Sequence, residues 1–362
     1  MAVTLEHLAE LPATVSSIRV SLLNDRQLTQ GGLMLLDDWS EAGTSCVWVD
    51  VTGGDKDDIE PLLEEWFRFH ELAAEDALSP NTLPKYDSFE RYDFLVFRTI
   101  ALQADGHGVE TEKVACFLGK NFLFTIHKAP LDAIDGVWTR LPHDVRVMER
   151  GVDFILYDVL DSLVDRYFPL VDQIEERIDQ IHELIFSDPS QTLLDELLVF
   201  KRDLNVLRRQ SLPQRELLNQ ISRGGAKFLR PEHLIYFRDL YDHMYRIGES
   251  IDIEREMASS TMEAYLSVIA NRTNEIMKVL TIFSATMLPI NLIASIYGMN
   301  FAHMPELQWR WGFYFAVSLM LMVGVVMLTW FWANGWLMPK RGRAFRRELH
   351  HRRRMRRKRQ NT

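Results

Sequence analysis

Ser284, Asn291 and Gly298 recur at seven-residue intervals inside an otherwise apolar stretch, and Ser295 lies four residues beyond Asn291. Seven residues make about two helical turns, so these positions share one face. Asn274 and Met277 carry the face upstream, with Leu280 and Leu288 beside it. In hydrocarbon such polar groups need a partner or water. Two arrangements supply one: Ser and Asn contacts between helices, or a water-filled path lined by the same helix from several copies. The stripe runs into "YGMNFAHMPELQWRWG" (Tyr297–Gly312). There Gly298, Met299 and Asn300 would form rings around an outer mouth, offering an amide oxygen and backbone carbonyls. These are hard, neutral ligands suited to hydrated Mg²⁺, which gives up its waters reluctantly. Glu306 adds negative charge just outside.

The flanks of this piece explain its setting. Residues 279–297 are uncharged over nineteen positions and 312–338 over twenty-seven, each enough for a bilayer-spanning helix of roughly twenty residues. Trp309, Trp311, Trp330, Trp332 and Trp336 cluster near the ends, where amphipathic rings prefer the interface. Pro289 fits within the first span, since the freed Ala285 carbonyl is tolerated where protein or water covers it. Of 41 Lys+Arg and 51 Asp+Glu, twelve basic residues and one acid fall between 340 and 359. The remaining 29 basic and 50 acidic residues leave a body of net charge −21. An acidic body suits cations, and a basic tail (339–362) beside a span suits anionic lipid headgroups. By the positive-inside rule that tail is cytoplasmic. Both termini then lie in the cytoplasm of a multi-pass protein of the inner (plasma) membrane, and the 298–311 loop faces out.

Residues 1–150 read as a mixed α/β domain. "CVWVDV", "YDFLVFRTIAL" and "VACFLGKNFLFTIH" have strand composition, the last turning at Gly119, Lys120 and Asn121. Between them "DIEPLLEEWFRFHELAAEDAL" has helical spacing, with Leu62, Leu63, Trp66 and Phe67 on one face. Residues 151–230 read as acidic antiparallel helices. A third helical segment starts after Pro231, forming a stalk over 231–278 that continues into the first span. Over fifty residues, or roughly 80 Å at 1.5 Å per residue, suit a stalk packed against copies of itself. Cys46 and Cys116 sit in apolar strand-like runs and imply reduced, structural thiols. The N-terminus shows neither the basic nor the apolar region of a signal peptide.

"YGMNFAHMPEL" after a helix ending "MKVLTIFSATMLP", with one more span to follow, resembles the CorA family of divalent-cation channels. "EDALSPNTLPKYDSFERYDFLVFR", "FLGKNFLFTIHKAP" and "YFRDLYDHMYRI" are similar to CorA segments in the same order. The resemblance covers about residues 45 to 338. It implies a homopentameric funnel with an α/β cytoplasmic domain, a long stalk helix and two spans per subunit. It also implies a pore lined by Asn274, Met277, Leu280, Ser284, Leu288 and Asn291 below a Gly298–Met299–Asn300 filter, the stripe already found from spacing. Regulatory divalent ions would be sensed at Glu75, Asp76 and Asp239, and Glu263 keeps a further carboxylate in the stalk. The long basic tail departs from the family pattern.

Other chemistry finds no support. "TGGDKDD" lacks the phosphate-loop spacing, so ATP-driven transport is unsupported; the membrane potential can do the work instead, at about 4.6 kcal/mol for a divalent ion per 100 mV. His350 and His351 lie in an arginine run and read as a solvated charge cluster. No arrangement calls for catalysis, and neither an organic cofactor nor nucleic acid is expected. Alternatives are the related zinc-transporting branch, and a membrane-anchored scaffold whose tail holds lipid or RNA. A scaffold has no need of an amide-lined stripe ending in a filter.

Overall fold

A computed structural model describes residues 15–102, 108–144, 146–299 and 309–337. The chain divides into two compact units between Tyr265 and Leu266. The first is built on a seven-stranded sheet: β1 (Val15–Asn24), β2 (Gln27–Gly31), β3 (Cys46–Gly53), β4 (Lys85–Ser88), β5 (Tyr92–Leu102), β6 (Val109–Gly119) and β7 (Phe122–His127). Their spatial order is β2-β1-β3-β7-β6-β5-β4. Every pairing is antiparallel except β3 with β7, where Val47 lies opposite Phe122 and Thr52 opposite His127. The expected hairpin joins β6 to β7 through Lys120 and Asn121. Gly119 is needed there, because a Cβ would fall 2.1 Å from the Phe122 ring.

Alternation along the central strands fills two cores. Val47, Val49, Val51, Phe117 and Phe124 face a layer containing Ile59, Leu63, Phe69, Ala73 and Ala77. These come from α1 (Lys56–Pro61), a π turn over Leu62–Trp66, and α2 (Glu71–Leu78), with Phe69 in the connection before α2. The spacing predicts one helix here, yet the chain breaks at Arg68, whose φ is +53°. The break lets Phe69 stack on Phe117 at 4.1 Å. The opposite face of the sheet, with Trp48, Phe97, Cys116 and Leu123, packs against four longer helices.

After α3 (Asp132–Arg140) and α4 (Arg146–Glu149) these are α5 (Val152–Val164), α6 (Tyr167–Leu184), α7 (Gln191–Gln220) and α8 (Leu234–Tyr297). Pro169 separates α5 from α6, for it has no N–H to give the Asp165 carbonyl. The approach to α8 is fastened by a buried knot. Asp153 accepts from the Arg230 backbone N–H at 3.1 Å, from Arg230 Nη2 at 2.7 Å and from His233 Nδ1 at 2.7 Å. Burial opposes the Asp153 charge, but Arg230 and His233 hold its carboxyl below the usual range. Gly151 must be glycine: its φ is +97°, and a Cβ would meet Arg230 Nη2 at 2.1 Å.

Glu254 on α8 behaves differently. It is only 6% exposed, and burial followed by the charges of Glu175 and Asp179 pushes its carboxyl up to about 7. The folded state thus binds this proton more tightly than the unfolded chain. Its support for the fold is complete below about pH 4.5 and is withdrawn as pH rises through about 7. Glu254→Gln in the detergent-solubilised full chain should therefore gain about 1–3 kcal/mol of stability at pH 8 and almost none at pH 5. Thermal unfolding at the two pH values measures this; an equal gain at both would contradict it.

Candidate functional site

The second unit contains the membrane end of α8 and the helix α9 (Gly312–Ala333), both long and apolar enough to cross a membrane. Their large side chains are open, including Leu288 at 69% and Phe313 at 74%. So much bare apolar surface calls for lipid or further protein around it. At about 100° per residue, the partly covered residues Ile282, Ala285, Thr286, Pro289, Ile290, Ile293 and Tyr297 fall within an arc of about 140°. That is the side on which Gly324 of α9 approaches Ile290, a Cβ there lying 3.6 Å from its Cδ1. Asn274, Met277, Leu280, Ser284, Leu288, Asn291, Ser295 and Gly298 are all exposed and fall within about 120° on the other side.

Hydrogen bonding separates two kinds of polar residue in these helices. Thr281 and Thr286 donate back to the Met277 and Ile282 carbonyls, both at 2.8 Å, and Thr329 does likewise to Val325. Asn274, Ser284, Asn291 and Ser295 make no side-chain hydrogen bond among the described residues. The threonines satisfy themselves; the stripe does not. Gly298 continues the ladder with a 3.0 Å bond to the Ala294 carbonyl, and Met299 is 44% exposed. Asn300, Glu306 and the basic tail lie outside the described residues.

In the first unit, Glu75 and Asp76 occupy α2, and Asp239 and Glu263 lie on α8. Glu75, Asp239 and Glu263 are exposed and Asp76 half-buried. Asp76 pairs with Lys85 Nζ at 2.5 Å, and Asp239 lies 3.7 Å from His243 Nε2. That histidine leads to a cluster not anticipated from the sequence. Asp161, Asp165 and His243 bring one ligand atom each within 4.8 Å of one another. Burial, then Asp165, push the Asp161 carboxyl up to about 6, with Asp158 and Asp239 adding to the rise and His243 opposing it. His243 Nδ1 is buried with no hydrogen-bond partner. Like charges held together beside an orphaned ring nitrogen fit a divalent cation. Carboxylates alone suit Mg²⁺, and the imidazole extends the set to Co²⁺, Ni²⁺ or Zn²⁺. The signal in the sequence was two i, i+4 pairs, Asp161–Asp165 and Asp239–His243, nearly eighty residues apart.

Residues 43–334 match the family model described as CorA-like Mg²⁺ transporter protein. The chain belongs to the CorA family. It is 34% identical over 291 residues to the cobalt/magnesium transport protein CorA of Thermotoga maritima, covering 80% of this chain and 83% of that one. Among solved structures, it is similar to the complete CorA magnesium transporter of Methanocaldococcus jannaschii, with TM-score 0.77 at 20% identity over 89% of this chain and 99% of that one. The full-length CmaX protein gives TM-score 0.71 at 21% identity over 89% of this chain and 98% of that one. The α/β domain, long helix and two C-terminal spans are thus the architecture of this family, and the chain is a membrane-embedded divalent-cation transporter within it.

The two faces of α8 make a direct test of which one meets water. In a Cys46→Ser background, Ser284→Cys and Asn291→Cys should react with a charged, membrane-impermeant thiol reagent at least about tenfold faster than Thr286→Cys, because the thiolate forms only where water reaches. Equal rates at all three would mean that the stripe is helix–helix contact.

Proposed function

We propose that this chain is a Mg²⁺ influx channel driven by the membrane potential, able to pass Co²⁺ as well, and closed by cytoplasmic Mg²⁺ held between subunits of a homopentamer. The observation that carries this reading is the exposed, hydrogen-bond-free face of α8, opposite the face that packs on α9. Five copies meeting along that face would enclose an uncharged polar path. Gly298, Met299 and Asn300 would form its filter, and Glu306 would gather cations outside. Met277, Leu280 and Leu288, each more than half exposed, would make the apolar rings that stop conduction by dewetting. The basic tail would lie on anionic headgroups of the cytoplasmic leaflet, at about 1 kcal/mol per residue near the surface.

Closure would come from the acids of the first unit. Asp239, Asp161 and Asp165 gather around His243, and Asp76 would approach this group from the neighbouring subunit, with Glu75 and Glu263 adding charge. Without a cation these groups repel one another, and with one they hold the subunits together. Each such ligand set biases the channel only by its different affinity for the closed and open states, and five copies add. A second reading, transport or sensing of Zn²⁺, draws on His243, since a nitrogen donor favours the softer ion.

Asn300→Ala should reduce Mg²⁺ uptake into reconstituted vesicles to background while the oligomer stays intact by size-exclusion chromatography. Uptake at the wild-type rate would remove Asn300 from the filter, and a parallel flux series with Co²⁺, Ni²⁺ and Zn²⁺ would rank the ions. Asp76→Asn with Asp239→Asn should leave currents that no longer fall as internal Mg²⁺ is stepped up in patch recordings. Unchanged inhibition would place the sensor elsewhere.

A further inference from the structure

Three cations from successive strands converge on the end of α2. Arg98 of β5, only 7% exposed, donates to the Thr82 carbonyl at 3.1 Å, to Thr111 Oγ1 at 3.2 Å and to the Pro80 carbonyl. Lys113 of β6 donates to the Asp76 carbonyl at 3.0 Å and the Ser79 carbonyl at 2.5 Å. Thr82 Oγ1 adds bonds to the same two carbonyls at 3.0 and 3.3 Å. The Asp76 carbonyl in the last turn of α2 and the Ser79 carbonyl at its cap are therefore occupied, and the backbone of Asp76 is gripped from below.

Lys85 of β4 does something else. Among the described residues its ammonium touches no helix carbonyl; it lies 2.5 Å from Asp76 Oδ2 and 2.7 Å from Asp87 Oδ2. Asp87 is two residues along the same strand and so projects from the same face. The three side chains are 32% to 45% exposed, so an ion from solution can reach them. The carboxylate given a sensing role above is thus already covered by a cation tethered to the same subunit.

We infer that Lys85 is a built-in competitor for Asp76, which yields to a divalent cation by withdrawing to Asp87. This rests on the reading that Asp76 takes part in sensing. The ammonium carries one charge, so K⁺ arriving at Asp76 offers no more Coulomb energy than the group it displaces. A divalent ion offers about twice as much at equal distance. Lys85 thereby raises the divalent concentration needed for closure and screens out the monovalent background. Asp87 makes the exchange easy, because the displaced ammonium keeps an anionic partner.

The test uses the full-length protein in detergent, titrated with MgCl₂ by calorimetry and by the rise in unfolding temperature, at low and at about 150 mM KCl. Lys85→Met should lower the half-saturating Mg²⁺ concentration by about two- to fivefold, as expected for a partly exposed pair. Its titration should also become more sensitive to KCl than that of the wild type. Lys85→Gln, which keeps a polar group, should shift binding the same way and stands in if the Met variant is unstable. Asp87→Asn should move half-saturation upward by a similar factor. If Asp76→Asn weakens Mg²⁺ binding but neither Lys85 variant shifts it, Asp76 senses and the competitor role is wrong. If Asp76→Asn leaves the titration unchanged, the sensing role of Asp76 falls and the competitor role with it.

Discussion

A polar group inside a membrane must be satisfied, and this requirement orders the second unit. The threonines of the spans meet it within their own helix, at a carbonyl one turn back. Asparagine at 274 and 291 and serine at 284 and 295 do not, and all four lie on the side of α8 that α9 leaves bare. An isolated subunit would be costly in a bilayer. Association through that face, as proposed above, would relieve the cost and create a polar path in the same step, so that assembly and conduction would follow from one sequence feature.

The acids of the first unit divide along a parallel line. Asp50 is fully buried, yet it receives Arg19 at 2.7 Å, Thr125 at 2.5 Å and His127 at 3.1 Å. Burial opposes its charge, and these partners hold its carboxyl below the usual range all the same. Asp93, also buried, accepts from Tyr86, Ser88 and the Phe228 N–H. Such residues are complete and structural. Asp161 and Glu254 have acids as neighbours instead, and both are pushed up into the range where protons come and go near neutrality. Unrelieved repulsion is a poor way to stabilise a fold and a good way to make one respond to cations.

What the sequence disclosed follows the reach of local pattern. A helix face is fixed by spacing alone, so the α8 stripe was legible in the sequence. Strands β3, β5, β6 and β7 were legible because their runs are rich in β-branched and aromatic residues. Strands β1, β2 and β4 were not: "QLTQG" and "KYDS" are short and mostly polar, and they become strands only through their neighbours. The positive φ at Arg68 breaks a helix that periodicity makes continuous, since Phe69 gains an aromatic core position by it. The Asp161–Asp165–His243 group and the Lys85–Asp76 pair join separate elements, and no local pattern encodes a meeting of that kind.

The character of the stripe also bears on how an ion crosses. Its own positions hold amides, hydroxyls and apolar side chains; Glu275 and Lys278, which lie within the same sequence range, fall outside its arc at about 100° per residue. A carboxylate within such a path would bind a divalent ion directly and hold it, whereas conduction requires binding weak enough to release. Neutral oxygens can instead hydrogen-bond to the waters that a hard ion such as Mg²⁺ keeps. The acids that cluster, Asp161 and Asp165 beside His243, lie in the first unit, where slow release would be an advantage if occupancy there reports concentration, as proposed. On the proposed reading, keeping carboxylates off the path and concentrating them on α5, α6 and the first half of α8 would separate passage from sensing.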